Sequence, residues 1–198
     1  MYNFIDANIC PEMLDKEPFL ATHTLLGEEV LSIESLAQIL PRLPKEQVMF
    51  SQGLNDLNEN FDRAHIDRKN HMSLKDTIEK LKTHSSYIMV RSPETSPEFK
   101  NVFDKLKEDI SQLCLKKGIG SEIFDPMLYL FISSPGAKTP FHIDRYSTLL
   151  FQLRGTKTVA IYDQFNEDIV SAKVRENFVD YGPLRPNWSK KTDHLAQN

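Results

Sequence analysis

The sequence predicts an α+β protein whose last third is the beginning of an all-β core. Three observations lead there. Helical periodicities are confined to the first two-thirds, short β-rich runs separated by turn residues follow Gly120, and no repeat or low-complexity tract interrupts the chain. At 198 residues the chain is long enough to bury a core in one domain. The expected organisation is an N-terminal α/β flanking region over residues 1–120 and the first part of the β core over residues 121–198, within a single structural domain.

Residues 1–31 read as irregular, broken by Pro11 and Pro18 and anchored by Phe4, Phe19, Leu25 and Leu26. A helix beginning at Ser32 places Ile33, Leu36, Ala37 and Leu40 on one stripe and stops at Pro41 and Pro44. Residues 47–50 read as a strand, and residues 51–70, polar and rich in Asn and Asp, as a long exposed loop. Ser73 followed by Asp76 resembles a capping box with Asp in place of Glu, opening a helix with Leu74, Ile78 and Leu81 on its apolar face. Residues 86–90 form a buried strand. Ser96 and Pro97 supply an N-cap and a first helical residue, and Phe99, Val102, Phe103, Leu106, Ile110 and Leu113 keep helical spacing up to Gly118, a C-terminal stop. Beyond Gly120, residues 127–133, 148–153 and 157–162 are strand candidates spaced as in a β-sandwich or barrel; residues 166–177 suit a helix and residues 181–198 a polar tail.

Composition narrows the function classes. Forty per cent hydrophobic and 26% charged residues is ordinary for a soluble globular chain, and a net charge of −4 argues against a dedicated nucleic-acid binder. No apolar run approaches the roughly 20 residues of a membrane helix. The N-terminus has neither a basic n-region nor an apolar h-region, so no secretory leader is expected. Cys10 and Cys114, far apart and outside any Cys-x-x-Cys spacing, read as two free thiols in a reducing compartment. The expected location is cytoplasmic.

The chemistry concentrates in Thr139-Pro140-Phe141-His142-Ile143-Asp144. Side chains two apart on an extended segment point to the same side, so His142 and Asp144 converge like two ligands of a 2-His-1-carboxylate iron site. The plain alternative is a structural His hydrogen-bonded to its neighbouring Asp. Three features favour the metal. The triplet follows a small-residue turn (Ser133-Ser134-Pro135-Gly136-Ala137) of the kind that sets residues at a barrel mouth. Lys157, after the Gly155 turn, is costly inside a barrel unless it meets an anion such as a dicarboxylate co-substrate. Thr139 can add a hydroxyl to the same carboxylate.

The run TPFHIDRYSTLLFQLRGTKTVAIYD, from Thr139 to Asp163, resembles the iron-binding half of the JmjC/cupin-like proteins. In that family a threonine, an H-x-D/E pair, a glutamine-bearing strand and a Gly-x-Lys turn recur in this order. The likeness is to the bacterial cupin-like proteins and to the asparaginyl-hydroxylase-like branch. The resemblance implies a double-stranded β-helix (jelly-roll) core, Fe(II), and 2-oxoglutarate as co-substrate. It makes His142 and Asp144 the metal ligands and Lys157 and Thr139 the partners of the distal carboxylate of 2-oxoglutarate. Gln152 matches a family strand position, and Thr148 stands where hydroxylases of the group often have Asn. The family's second histidine lies further downstream, after a Pro-Gly-Asp turn that does not occur here. His23, His65, His71 and His84 precede the core, and His194 lies in a polar segment. The jelly roll is therefore expected to lack its last strands, with the third iron ligand outside this chain.

Other candidates have plainer readings. The metal-capable cluster from Asp62 to His71 reads as a solvated loop with a secondary role as a lid, and Trp188 as a packing anchor or partner contact. No nucleotide-binding glycine loop, Gly-x-Ser-x-Gly elbow or zinc signature is present. Two functions follow: an Fe(II)- and 2-oxoglutarate-dependent oxygenase acting on a protein side chain or a small molecule, or a non-catalytic cupin-like module binding a ligand or partner. Neither calls for a membrane or nucleic acid, and a homodimer stays open.

Overall fold

The computed structural model describes all residues except 1, 7, 8, 15, 53–56, 59–63, 68–70, 183, 184, 197 and 198. The chain divides into two compact units, Met1–Leu54 with Asp62–Ala137, and Asn55–Phe61 with Lys138–Asn198.

The first unit is mixed helix and sheet. Its helices are α1 (Ile33–Ile39), α2 (Ala64–Asp67), α3 (Leu74–Glu79) and α4 (Pro97–Lys117). Its strands, β1 (Val48–Gln52), β2 (Ser86–Arg91) and β3 (Tyr129–Ser133), form one antiparallel sheet in the order β1-β2-β3. Residues 129–133, read from the sequence as the first strand of a C-terminal core, thus complete the N-terminal sheet. Met49 faces Met89 across β1 and β2, and Met89 faces Phe131 across β2 and β3. Alternation sends Ile88, Val90 and Ile132 into the core, whereas Tyr129 and Phe131 stay exposed and stack with ring centroids 6.0 Å apart. The Ser134 hydroxyl donates to His84 O and its oxygen accepts from Ser86 N, which ties the ends of β2 and β3 together.

The helix starts obey local chemistry. Ser32 Oγ accepts from Ser35 N at 3.1 Å, and Ser73 Oγ accepts from Asp76 N at 3.1 Å. Asp76 completes the second motif differently from a capping box: its carboxylate accepts from the Ser73 hydroxyl at 2.6 Å. The shorter Asp stem accounts for this, since the full motif needs a side chain long enough to reach the backbone N–H. Ser96 occupies the N-cap of α4 with Pro97 in its first turn, yet its hydroxyl bonds to Glu98 and caps nothing.

Along α4 the buried residues are Phe99, Val102, Leu106, Asp109 and Leu113, a 3-4-3-4 stripe; Phe103 and Ile110, expected in that stripe, are only half-buried. Asp109 is fully buried. Its carboxylate accepts from Asn3 N (2.6 Å), Asn3 Nδ2 (3.0 Å), Phe4 N (2.7 Å) and Ile5 N (3.1 Å). A buried carboxylate is tolerated because these four donors replace its water. They also dock the N-terminal arm, which pairs onward through the Ile5–His23 bridge and Thr24 N to Phe4 O.

The second unit contains α5 (Ala172–Val179) and a 3-10 segment, Lys190–Leu195. The helix starts later than the expected 166–177 because side chains take up the backbone before it. Asp163 Oδ1 accepts from Phe165 N at 2.8 Å and Asn166 Oδ1 from Asp168 N at 3.0 Å, turns that compete with a helix. Residues 148–153 and 157–162, expected as strands, form no ladder among the described residues, and only Ile161 takes part in a bridge. Gln152 Nε2 instead donates to Arg154 O at 2.7 Å, closing the turn that Gly155 permits at φ 74°. Much of the expected loop 51–70 lies outside the described residues; Ser51 and Gln52 belong to β1, and α2 occupies part of the remainder. Both cysteines are free, and no described helix is long and apolar enough to cross a membrane.

Replacing Asp109 with Ala leaves three backbone N–H groups without their acceptor. The substitution is expected to cost about 3 kcal/mol, read as a lowered urea midpoint, with accelerated hydrogen exchange at residues 3–5. A midpoint equal to that of the wild type would show that the arm contributes nothing to stability.

Candidate functional site

The second unit anchors the His142–Asp144 triplet on both sides. Before it, Phe141 N donates to Leu57 O at 2.8 Å, and the Phe141 ring meets Tyr162 edge-on with centroids 5.6 Å apart. Tyr162 is held in turn: Trp188 Nε1 donates to its hydroxyl, which donates to Asp193 Oδ1 at 3.2 Å. Trp188 is a packing anchor of this unit, its backbone bonded twice by the Asn58 amide. After the triplet, Arg145 Nε donates to Phe178 O at 2.9 Å, and the guanidinium lies over the Phe178 and Tyr181 rings.

Between these anchors the structure brings His142 and Asp144 together, with Nε2 3.7 Å from Asp144 Oδ1 and both side chains about half exposed. His142 Nδ1 lies 2.7 Å from Pro140 O. A carbonyl only accepts, so Nδ1 donates to it, and Nε2 faces the carboxylate as the nitrogen left to accept when the ring carries a single proton. Metal-bound histidines use the same arrangement, with the second ring nitrogen donating to a carbonyl or carboxylate. The donor set therefore suits a divalent cation at two positions. Among the described residues no three His, Cys, Asp or Glu side chains lie close enough to share one. His194 sits in the 3-10 segment and is exposed.

The remaining candidates are placed as follows. Thr148 Oγ1 donates to Tyr146 O at 3.2 Å, and Gln152 bonds Arg154 as described. Among the described residues Thr139 and Lys157 make no hydrogen bond or ion pair. Desolvation holds the Lys157 ammonium below its usual pKa although much of its surface is exposed. Of the 62–71 cluster, His65 and Asp67 lie on α2, His71 is exposed, and residues 62, 63 and 68–70 lie outside the described residues.

Sequence reasoning did not find Pro140, Arg145, Phe178 or Tyr181 as parts of the site. Pro140 contributes only a carbonyl, which any residue carries. Arg145 directly follows Asp144, but no spacing rule links it to a helix end 33 positions later.

The lowered Lys157 pKa has a measurable consequence. The folded chain releases this proton at a lower pH than the unfolded chain, so stability rises with pH between the folded and the ordinary lysine pKa. Lys157→Met is expected to flatten that alkaline rise in a series of urea denaturations. An unchanged slope would assign the rise to another group.

Comparison with protein-family models, with curated proteins and with solved structures finds no match to the chain.

Proposed function

We propose that the segment around His142 and Asp144 is the metal-binding part of an Fe(II)- and 2-oxoglutarate-dependent oxygenase of the cupin-like JmjC type. The observation that carries this reading is the orientation of His142, with Nδ1 on the Pro140 carbonyl and Nε2 toward Asp144 Oδ1 at 3.7 Å. A surface ion pair needs no fixed tautomer, whereas a ligand does. His142 and Asp144 hold the metal, which supplies the oxidative chemistry when bound with 2-oxoglutarate and dioxygen.

The other roles belong to the chain. The Pro140 carbonyl keeps the proton on Nδ1 and fixes the ring plane. Lys157 meets the distal carboxylate of 2-oxoglutarate, and the hydration its ammonium has lost makes an anionic partner favourable there. Thr139 donates its hydroxyl to the same carboxylate, with Gln152 and Thr148 at the flanking strand positions. The fold that accompanies this reading is a double-stranded β-helix. Exposed apolar side chains at Leu149, Leu150, Val159 and Ile161 are surface that the layers of such a core would cover. The substrate is a C–H bond of a protein side chain or a small molecule.

A second reading, a non-catalytic cupin-like module that binds a ligand or partner, draws on the two-donor set seen among the described residues. Anaerobic titration of the full chain with Fe(II) and 2-oxoglutarate separates the two. The oxygenase reading expects a weak visible charge-transfer band, lost in His142→Ala and Asp144→Ala, and a 2-oxoglutarate affinity lowered roughly tenfold or more in Lys157→Met. A band that survives both ligand substitutions, or a wild type with no anaerobic band and no 2-oxoglutarate consumption once dioxygen is admitted, would leave the binding module.

A further inference from the structure

The two longest helices end in the same hydrogen-bond motif with different residues at its left-handed position. At the end of α4, Gly118 N bonds Leu115 O and Ile119 N bonds Cys114 O, with Gly118 at φ 84°. At the end of α5, Tyr181 N bonds Phe178 O and Gly182 N bonds Asn177 O, with Tyr181 at φ 57°. This is the Schellman pattern, whose left-handed residue is ordinarily Gly because a Cβ is strained there. At Gly182, one position later, a Cβ would fall 2.0 Å from the Asn177 amide, so any other residue there would displace that side chain. The strained tyrosine is thus a feature of α5 that helix termination does not need.

What the tyrosine does is visible in its contacts. Its ring lies 4.5 Å from the Arg145 guanidinium, which lies 3.7 Å from the centre of the buried Phe178 ring. Arg145 Nε also donates to Phe178 O, and the hydroxyls of Tyr146 and Tyr181 lie 3.3 Å apart. Two rings, a carbonyl and a hydroxyl at one helix end therefore grip the two residues that follow Asp144. Planar guanidinium suits this grip, because it stacks and donates at once, which an ammonium cannot do. Strain retained at a bulky residue points to a role beyond folding.

We propose that Arg145, clamped by Phe178 and the strained Tyr181, is the positioning residue that sets Asp144 against His142. The inference rests on reading that pair as a metal site. With Phe141 fixed to Leu57 and Tyr162 on the other flank, the clamp leaves the three residues between the anchors little freedom. The two donors are then held near 3.7 Å.

The test uses the full chain with Mn(II) as an oxygen-stable probe, followed by electron paramagnetic resonance, alongside thermal denaturation. Arg145→Ala and Arg145→Lys are expected to raise the Mn(II) dissociation constant about tenfold or more, and hydrogen exchange at residues 142–144 quickens in the metal-free chain. Tyr181→Gly is the decisive variant. It relieves the left-handed strain, so the melting temperature stays level or rises while Mn(II) binding weakens. Tyr181→Phe, which keeps the stacking ring and loses only the hydroxyl contact to Tyr146, weakens binding less than Tyr181→Gly. Tyr181→Gly and Arg145→Ala binding Mn(II) like the wild type, while His142→Ala does not bind, would overturn the clamp and leave the metal site standing. A fall in melting temperature parallel to the loss of affinity also overturns it, as a purely structural role. A wild-type chain that binds no Mn(II) removes both the clamp and the site.

Discussion

The first unit depends on one buried carboxylate. Asp109 stands in the apolar stripe of α4, fully buried, where leucine would be the ordinary choice. Burying an isolated carboxylate costs far more than any one contact returns, so the residue persists only because the backbone of residues 3–5 meets it. The N-terminal arm and α4 therefore stand or fall together. Lys116 over the Tyr2 ring and Lys105 over the Phe4 ring extend the same seam along the helix. A hydrophobic side chain at this position could bury as much surface, but it could not satisfy three backbone N–H groups or fix the register of the arm.

The second unit uses a different economy. It has one helix of eight residues, no strand ladder among the described residues, and an arrangement made of side chains bonded to backbone. Asn58 holds both polar groups of the Trp188 backbone, Gln152 closes its own turn, and Arg145 caps a carbonyl at the end of α5. Such bonds order short segments without the cooperativity of a sheet. They suit the placing of individual side chains, and His142 and Asp144 are placed in this way. The convergence expected from strand alternation is present, but here two flanking anchors maintain it in an irregular segment.

Much of the first unit was legible in the sequence. Ser32 and Ser73 begin helices because their hydroxyls accept from the third residue onward, and Gly118 ends α4 because it takes a positive φ at no steric cost. The three strands of the sheet lie where short β-rich runs placed them, shifted by one or two residues. The features that escape the sequence have different physical causes. The role of Asp109 is hidden because a charged residue in a helical stripe reads as a gap unless its partner is known, and that partner lies more than 100 positions away. The start of α5 lies later than its apolar spacing suggests because Asp163 and Asn166 divert the backbone into turns. Residues 148–153 and 157–162 have strand composition, but a strand exists only against a partner, and composition does not supply one.

The sequence by itself determined the local signals: helix caps and stops, alternation in the sheet, and a His and an Asp close enough in the chain to meet. These depend on groups within a few residues of one another. Only the tertiary structure decided that β3 joins the N-terminal sheet and that a buried aspartate fastens the arm. It also decided that Arg145 is gripped by a strained Tyr181. Each of these is settled by groups far apart in sequence, whose meeting depends on how the chain has already packed.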